Sequence, residues 1–270
     1  MEKLIEGKLN RKNFSYELAY TKARKHATQL AHEATQNGFD VVVAIGGDGT
    51  VNEIGKGLAG TTTAMAILPC GSGNGAARHL KIPMTLKKAM EVINQNKIKT
   101  IDTFFLNDEI VVNAAGIGYA AHIAHTFSKF KNRGFKNYLK IAVRDSMSYK
   151  SQLCELEYNG IKKEVNAFII DIANGTQWGN NAVIAPHAKN DDGLLDLCIV
   201  KDFPSRMFPI MATRLFTKSI HKSKHVEIVR VKEAIIRQQH TYAHIDGEPE
   251  EVGKELRVKI NPLSLRVILP

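Results

Sequence analysis

The sequence predicts an α/β N-terminal domain over residues 1–103, followed by a β-rich, sandwich-like domain over residues 104–270. Three observations predict it. Apolar strands alternate with amphipathic helices as far as residue 94, a pattern that argues for a parallel sheet covered on both faces. Two of those strands run directly into glycine-rich turns, Ile45-Gly46-Gly47-Asp48-Gly49-Thr50 and Pro69-Cys70-Gly71-Ser72-Gly73-Asn74-Gly75. From residue 152 onward the pattern turns mostly to strands, beginning with a hairpin signal at Asn159-Gly160.

Taken in order, residues 2–10 carry Leu4, Ile5 and Leu9 on one side and predict a short helix. Phe14, Tyr16, Leu18 and Tyr20 alternate and predict a strand over 14–20. A helix over 21–36 follows, with Gly38 as its C-terminal stop. A strand over 41–45 leads into the first glycine turn and a helix over 51–58. A strand over 64–69 leads into the second turn and a helix over 76–80. Leu86, Ala89, Met90 and Ile93 keep a helical period over 85–94. Past Lys99, strands are expected over 100–106 and 109–115, and helices over 116–127 and 136–147. Strands over 153–158 and 162–173 flank the Asn159-Gly160 turn. Six more are expected over 194–200, 225–231, 234–238, 241–245, 255–260 and 263–269, with a helical insertion over 203–220.

At 270 residues, 44% hydrophobic and 24% charged, the chain has ample length for a packed core. No apolar run reaches the length of a spanning helix. The polar N-terminus has no signal-peptide core, and the three cysteines, Cys70, Cys154 and Cys198, form no CxxC pair. A cytoplasmic protein with reduced thiols is expected. The net charge of +10 favours polyanionic partners. Lys129, Lys131, Arg133, Lys136, Lys140 and Arg144 interleave with Phe130, Phe135 and Tyr138, which suits an anionic membrane surface. Arg214, Lys218, Lys222 and Lys224 form a second basic cluster. No nucleic-acid-binding signature is present.

A strand–glycine turn–helix unit presents backbone amides to phosphate, and Asp48 sits where it could hold magnesium against it. The same residues could equally form an ordinary strand-to-helix turn with Thr50 as N-cap. GGDGTVNE (46–53), LPCGSGNGAAR (68–78), NDDGLLDL (190–197) and IDGEP (245–249), in that order, resemble the catalytic family of diacylglycerol kinases and sphingosine kinases. The GGDGT turn alone also fits NAD kinases.

The resemblance implies an interdomain active site, ATP and Mg2+ as cofactors, and a lipid acceptor presented by a membrane. Gly46, Gly47, Asp48, Gly49, Thr50 and Asn52 would line the nucleotide phosphates, and Gly71, Ser72 and Gly73 would form a second wall. Thr21 matches a further nucleotide contact, although the residues alone make it a helix N-cap. Glu248 would be the general base, with Asp48 beside it. Asp192, with the carbonyls of Lys189 and Leu194, would hold a structural magnesium.

The chain departs from the family in three places. It begins where the first helix is expected, without the strand and Asn-Pro-x-Ser-Gly loop. Gly75 and Ala120 stand at positions where bacterial members carry carboxylates. The expected function is a lipid kinase acting on a diacylglycerol-like or sphingoid hydroxyl at the inner face of the membrane, with a homodimer open to the β-rich part. The alternatives are an NAD kinase, or a degenerate or truncated member that binds without turnover. His122 and His125 share a helix face without a third ligand, and Trp178 is expected to pack.

Overall fold

The fold is organised by a mixed sheet that curls round to enclose its own core. The computed structural model describes residues 1–130 and 135–270, without the side chains of 135–139. The basic stretch expected at Lys131, Arg133 and Lys136 therefore lies outside the described residues, or has its side chains there.

The first layer opens with α1 (Glu2–Lys8) and α2 (His26–Gln36). β1 (Val41–Gly46) pairs in parallel with β2 (Ala64–Pro69), and α3 (Asp48–Leu58) connects them. Every residue of β2 is buried, as a parallel strand between helices requires. α4 (Gly75–His79) and α5 (Leu86–Gln95) complete this part. The strand predicted over 14–20 does not form. That stretch is irregular, with Tyr20 70% exposed and its hydroxyl bonded to Glu2. Alternation supplies a face but no partner strand, so the ladder has nothing to build on. The helix predicted from Thr21 starts instead at His26, after Lys25 in a left-handed conformation.

β3 (Ile98–Leu106) pairs with β4 (Glu109–Val111), and β5 (Ala114–Gly118) follows. α6 (Tyr119–Ser128) and α7 (Phe135–Ser146) lead to the hairpin β6 (Gln152–Tyr158) and β7 (Ile161–Ala173). β8 (Leu195–Lys201), α8 (Phe208–Phe216), β9 (Val226–Val231) and β10 (Glu233–Arg237) come next. β11 (Tyr242–Ile245), β12 (Glu248–Glu251) and the long β13 (Glu255–Ile268) close the chain.

The strand order is β1-β2-β13-β10-β6-β7-β5-β11-β12, with β3 on β13 and β8–β9 on β7. β13 was expected as two strands. It is one, kinked by an irregularity between Asn261 and Leu265 that shifts its register on β3. Ile260 faces the core of the β-rich part, whereas Leu265 and Val267 face the α/β core. β13 thus stitches both cores together. The wholly buried Asp102 holds the kink: its carboxylate accepts from Leu263 N–H at 2.7 Å and Gly193 N–H at 2.8 Å.

β5, and β7 from Ala167 onward, are buried on both faces. Ala115, Ile117, Ile170 and Ile172 point into the sandwich core. Ile169 and Ala173 point to the opposite side, where Tyr119, Ile123, Phe168, Met211 and their neighbours form a third cluster beneath α6 and α8.

Candidate active site

The two glycine turns meet at the carboxyl edge of β1 and β2. A Cβ on Gly71 would fall 2.4 Å from Gly47 Cα, so the turns touch backbone to backbone. Only paired glycines permit that approach. Asn74 stiffens the second turn, accepting from Gly71 N–H at 3.0 Å and donating to Gly71 O at 2.8 Å. Asp48 opens α3 and turns its carboxylate onto the amides at the head of α4, with Ala76 N–H at 3.4 Å. Burial raises its pKa above the ordinary carboxylate value, against the lowering pull of the Ala76, Gly75 and Asn74 amides.

The third motif arrives on the β11–β12 hairpin. Ile245 pairs with Glu248 across the two-residue loop Asp246-Gly247, both at positive φ (48° and 86°), the geometry that an Asp-Gly loop favours. Glu248 comes to rest against Gly49: a Cβ there would sit 3.8 Å from its Cγ and Oε1. Arg24 straps the hairpin from outside, pairing with Glu250 at 2.6 Å.

Asp246 does more than turn the chain. Its Oδ1 accepts from Ala114 N–H at 2.7 Å and Asn113 N–H at 3.1 Å, and its Oδ2 from Val112 N–H at 3.3 Å. These captured amides explain why the strand expected over 109–115 breaks into β4 and β5. Burial pushes the Asp246 carboxyl up to about 6, and the charge of Asp48 adds to the rise. A half-buried and a buried carboxylate that repel each other beside the glycine turns form a donor set suited to a hard divalent cation.

These groups rim a cavity of about 480 Å3, within the usual range for small-molecule sites. Gly47, Asp48, Gly49, Thr50, Gly71, Ser72, Gly73, Asp246 and Glu248 lie in its wall. Gly46 and Asn52 stand behind it. A Cβ on Gly46 would meet the Thr50 side chain, and Asn52 is buried in α3. Thr21 is exposed and outside the wall. The inner part of the cavity is apolar, lined by Tyr119, Ile123, Phe168, Phe208 and Met211 among others.

Both departures from carboxylate have a local reason. A Cβ on Gly75 would lie 2.8 Å from the Trp178 carbonyl, because the 177–183 loop folds onto this turn. Ala120 belongs to the apolar cluster. Trp178 does more than pack: it lines the cavity and donates from Nε1 to Asp171 at 3.0 Å. His122 pairs with Asp145 at 3.0 Å, and His125 stacks on Tyr242.

Lys189, Asp192 and Leu194 lie away from this cavity wall. Asp192 Oδ1 accepts from Leu194 N–H at 3.2 Å, and Oδ2 is paired with Arg230. With a guanidinium already balancing the Asp192 carboxylate, this loop fits a structural Mg2+ poorly. Among the described residues no group of three or more His, Cys, Asp or Glu side chains has metal-binding geometry.

The diacylglycerol kinase catalytic domain model matches residues 1–106, and the YegS C-terminal NAD kinase beta sandwich-like domain model matches residues 113–269. The chain belongs to the diacylglycerol kinase and YegS family. A relative from Chromohalobacter salexigens, named "Probable lipid kinase YegS-like", is 32% identical over 82% of this chain and 73% of its own length. The fold is shared with a diacylglycerol kinase structure from Bacillus anthracis str. Sterne: TM-score 0.75, 20% identity, covering 100% of this chain and 91% of that one. An ATP complex of an NAD kinase from Archaeoglobus fulgidus is a more distant fold neighbour: TM-score 0.54, 13% identity, covering 99% and 88%. The family gives a kinase, with lipid kinases as named relatives.

Sequence reasoning passed over Asp171 and His244, a buried pair with Nε2 and Oδ1 3.0 Å apart beside the cavity, as well as Asp246. A signal was available for Asp171: a lone carboxylate inside the apolar run Phe168-Ile169-Ile170-Asp171-Ile172-Ala173 has to be buried with partners.

Proposed function

We propose that the protein transfers the γ-phosphate of ATP to a hydroxyl of a lipid. The observation that carries this reading is the continuity of one cavity, polar with carboxylates and glycine amides at one end and apolar at the other. Phosphoryl transfer needs positioning and charge stabilisation more than covalent help from the protein. The amides of the Gly47–Gly49 and Gly71–Gly73 turns supply the first. Asp48 and Asp246 would hold the Mg2+ that accompanies the nucleotide, and bound there it neutralises charge developing on the phosphates. Glu248, facing Gly49, takes the proton from the attacking hydroxyl. The aromatic and aliphatic end receives the hydrocarbon chain. Among the described residues that end is lined mainly by aromatic and aliphatic side chains, which favours lipid over NAD.

The lipid is reached from the membrane surface. α8 turns Met211 into the cavity while Ile210 and Phe216 stay 51% and 39% exposed, and Arg206, Arg214 and Lys218 lie on or beside it. Apolar and basic groups together at the cavity's edge suit an anionic leaflet. None of the described helices is long and apolar enough to cross a membrane.

The test uses γ-labelled ATP, Mg2+, mixed anionic vesicles carrying a lipid panel, and NAD in a parallel arm. Label extracted with lipid supports the reading. Label in the dinucleotide, or in neither, overturns it.

A further inference from the structure

α3 carries a second anchor one turn beyond the phosphate turn. Glu53 follows Gly49 by four residues, so the two stand on one face of the helix, about 6 Å apart. The Glu53 carboxylate accepts from two backbone amides of the segment that enters α2: Lys25 N–H at 2.9 Å and Ala27 N–H at 3.1 Å. The Glu53 carbonyl accepts from the Thr28 hydroxyl at 2.9 Å. Those amides belong to the open head of α2, whose N-cap, Lys25, is left-handed (φ 67°) and makes no cap with its own side chain. A residue other than glycine keeps that conformation only where its surroundings hold it. Glu53 does so by capping α2 from the neighbouring helix.

Arg24, the residue before Lys25, springs from this anchored backbone. Its Nη2 donates to Glu250 Oε1 at 2.6 Å and reaches the Pro249 carbonyl at 3.4 Å. Side chains alternate along a strand, so Glu250 shares its face of β12 with Glu248, about 7 Å away. Two residues of β12 thus span about one turn of α3. Glu248 lies against Gly49, and Glu250 is joined through Arg24 to the segment that Glu53 anchors. β12 is four residues long and, among the described strands, pairs with β11 alone. A single ladder otherwise sets its place in the sheet.

We propose that Arg24 is a positioning residue for phosphoryl transfer: through Glu250 it holds β12 against α3 and so sets Glu248 over the Gly47–Gly49 turn. The inference rests on the lipid-kinase reading, in which Glu248 is the base, and adds the device that places it. The Arg24 side chain is 54% exposed and that of Glu250 27%, so the pair adds little to global stability. Its effect falls on a short edge hairpin, where a small displacement of the proton acceptor costs turnover.

The test follows label from γ-labelled ATP into 1,2-dioleoylglycerol and sphingosine in neutral detergent micelles, with hydrogen exchange of the 241–251 segment as a second readout. Arg24→Ala is expected to lower kcat about fivefold, the shift that one partly exposed ion pair can impose on a two-position hairpin. KM for ATP and the thermal midpoint stay close to wild type, and exchange across 241–251 quickens. Glu250→Ala gives the same loss, and the double variant loses no more than either single one, as two residues of one interaction should. Arg24→Lys, which keeps the charge, retains most of kcat. A bond that served the fold alone would lower the midpoint and spare kcat. That result, additive losses in the double variant, or a raised KM for ATP with kcat held overturns the inference. If the wild type labels no lipid, the lipid-kinase reading fails, and exchange decides on the strap. Quickening in Arg24→Ala that Arg24→Lys does not share upholds it, and any other result overturns it.

Discussion

The two ends of the cavity are built by different means. The polar end is backbone: glycine turns at strand ends, held by Asn74, by the amides that Asp246 captures, and by contacts too close for a Cβ. The apolar end is side chain: Tyr119, Phe168, Phe208 and their neighbours, drawn from α6, β7 and α8. A site that must hold the same phosphates on every turnover is fixed by main-chain geometry, which tolerates little substitution. A site that selects among hydrocarbon chains is fixed by side-chain volume, which can be exchanged piecemeal. Substitutions at the two ends should therefore fail differently.

The largest effect is expected at the polar end. Glu248→Gln removes the proton acceptor at nearly constant volume. Lipid phosphorylation should fall by about 10²- to 10⁴-fold, while calorimetry finds the thermal midpoint and nucleotide binding close to wild type. Near-native turnover in this variant removes Glu248 from the mechanism.

Asp246→Ala should lose activity and stability together. It strands the buried amides of Val112, Asn113 and Ala114, each worth about 1–3 kcal/mol when unsatisfied. Denaturant unfolding checks this, and a stability equal to wild type would contradict the accounting.

The next effect separates space from chemistry. Gly75→Asp places a carboxylate where bacterial relatives are expected to carry one, but its Cβ would collide with the Trp178 carbonyl. It should destabilise by about 1–3 kcal/mol, the usual cost of overpacking, and raise no activity. A gain in turnover would show that the 177–183 loop yields.

The smallest effect is a pH dependence. The folded carboxyl of Asp246 titrates near 6, above its ordinary 3.8. Folding therefore gains from this group below pH about 4, and loses that gain as pH rises through 6 and the buried charge forms. A cation at Asp48 and Asp246 offsets that charge. The rise in melting temperature on adding Mg2+ with nucleotide should be full at pH 8 and shrink as pH falls below about 6. A shift independent of pH would place the cation elsewhere.

Much of this comparison could be read from the residues alone, though not evenly. The glycine turns were legible because few sequences place Gly-Gly-Asp-Gly and Gly-Ser-Gly at two strand ends. The role of Glu248 near the first glycine turn was implied by the family resemblance alone, since nothing local joins residues some 200 apart. The 14–20 stretch misled because alternation describes a face and not a partner. Asp246 was hidden by its own turn signal: Asp-Gly at a hairpin explains itself before its carboxylate is asked where it points. The buried pair of His244 with Asp171 was out of reach, because register between distant strands is set by the whole sheet.

In the proposed function one cavity joins a phosphoryl-transfer site to a hydrocarbon chamber. The most direct measurement blocks the chamber with Ile123→Trp and compares acceptors of short and long chain. Long-chain turnover should collapse while short-chain turnover and the KM for ATP hold. Equal loss of both, or of neither, would contradict it.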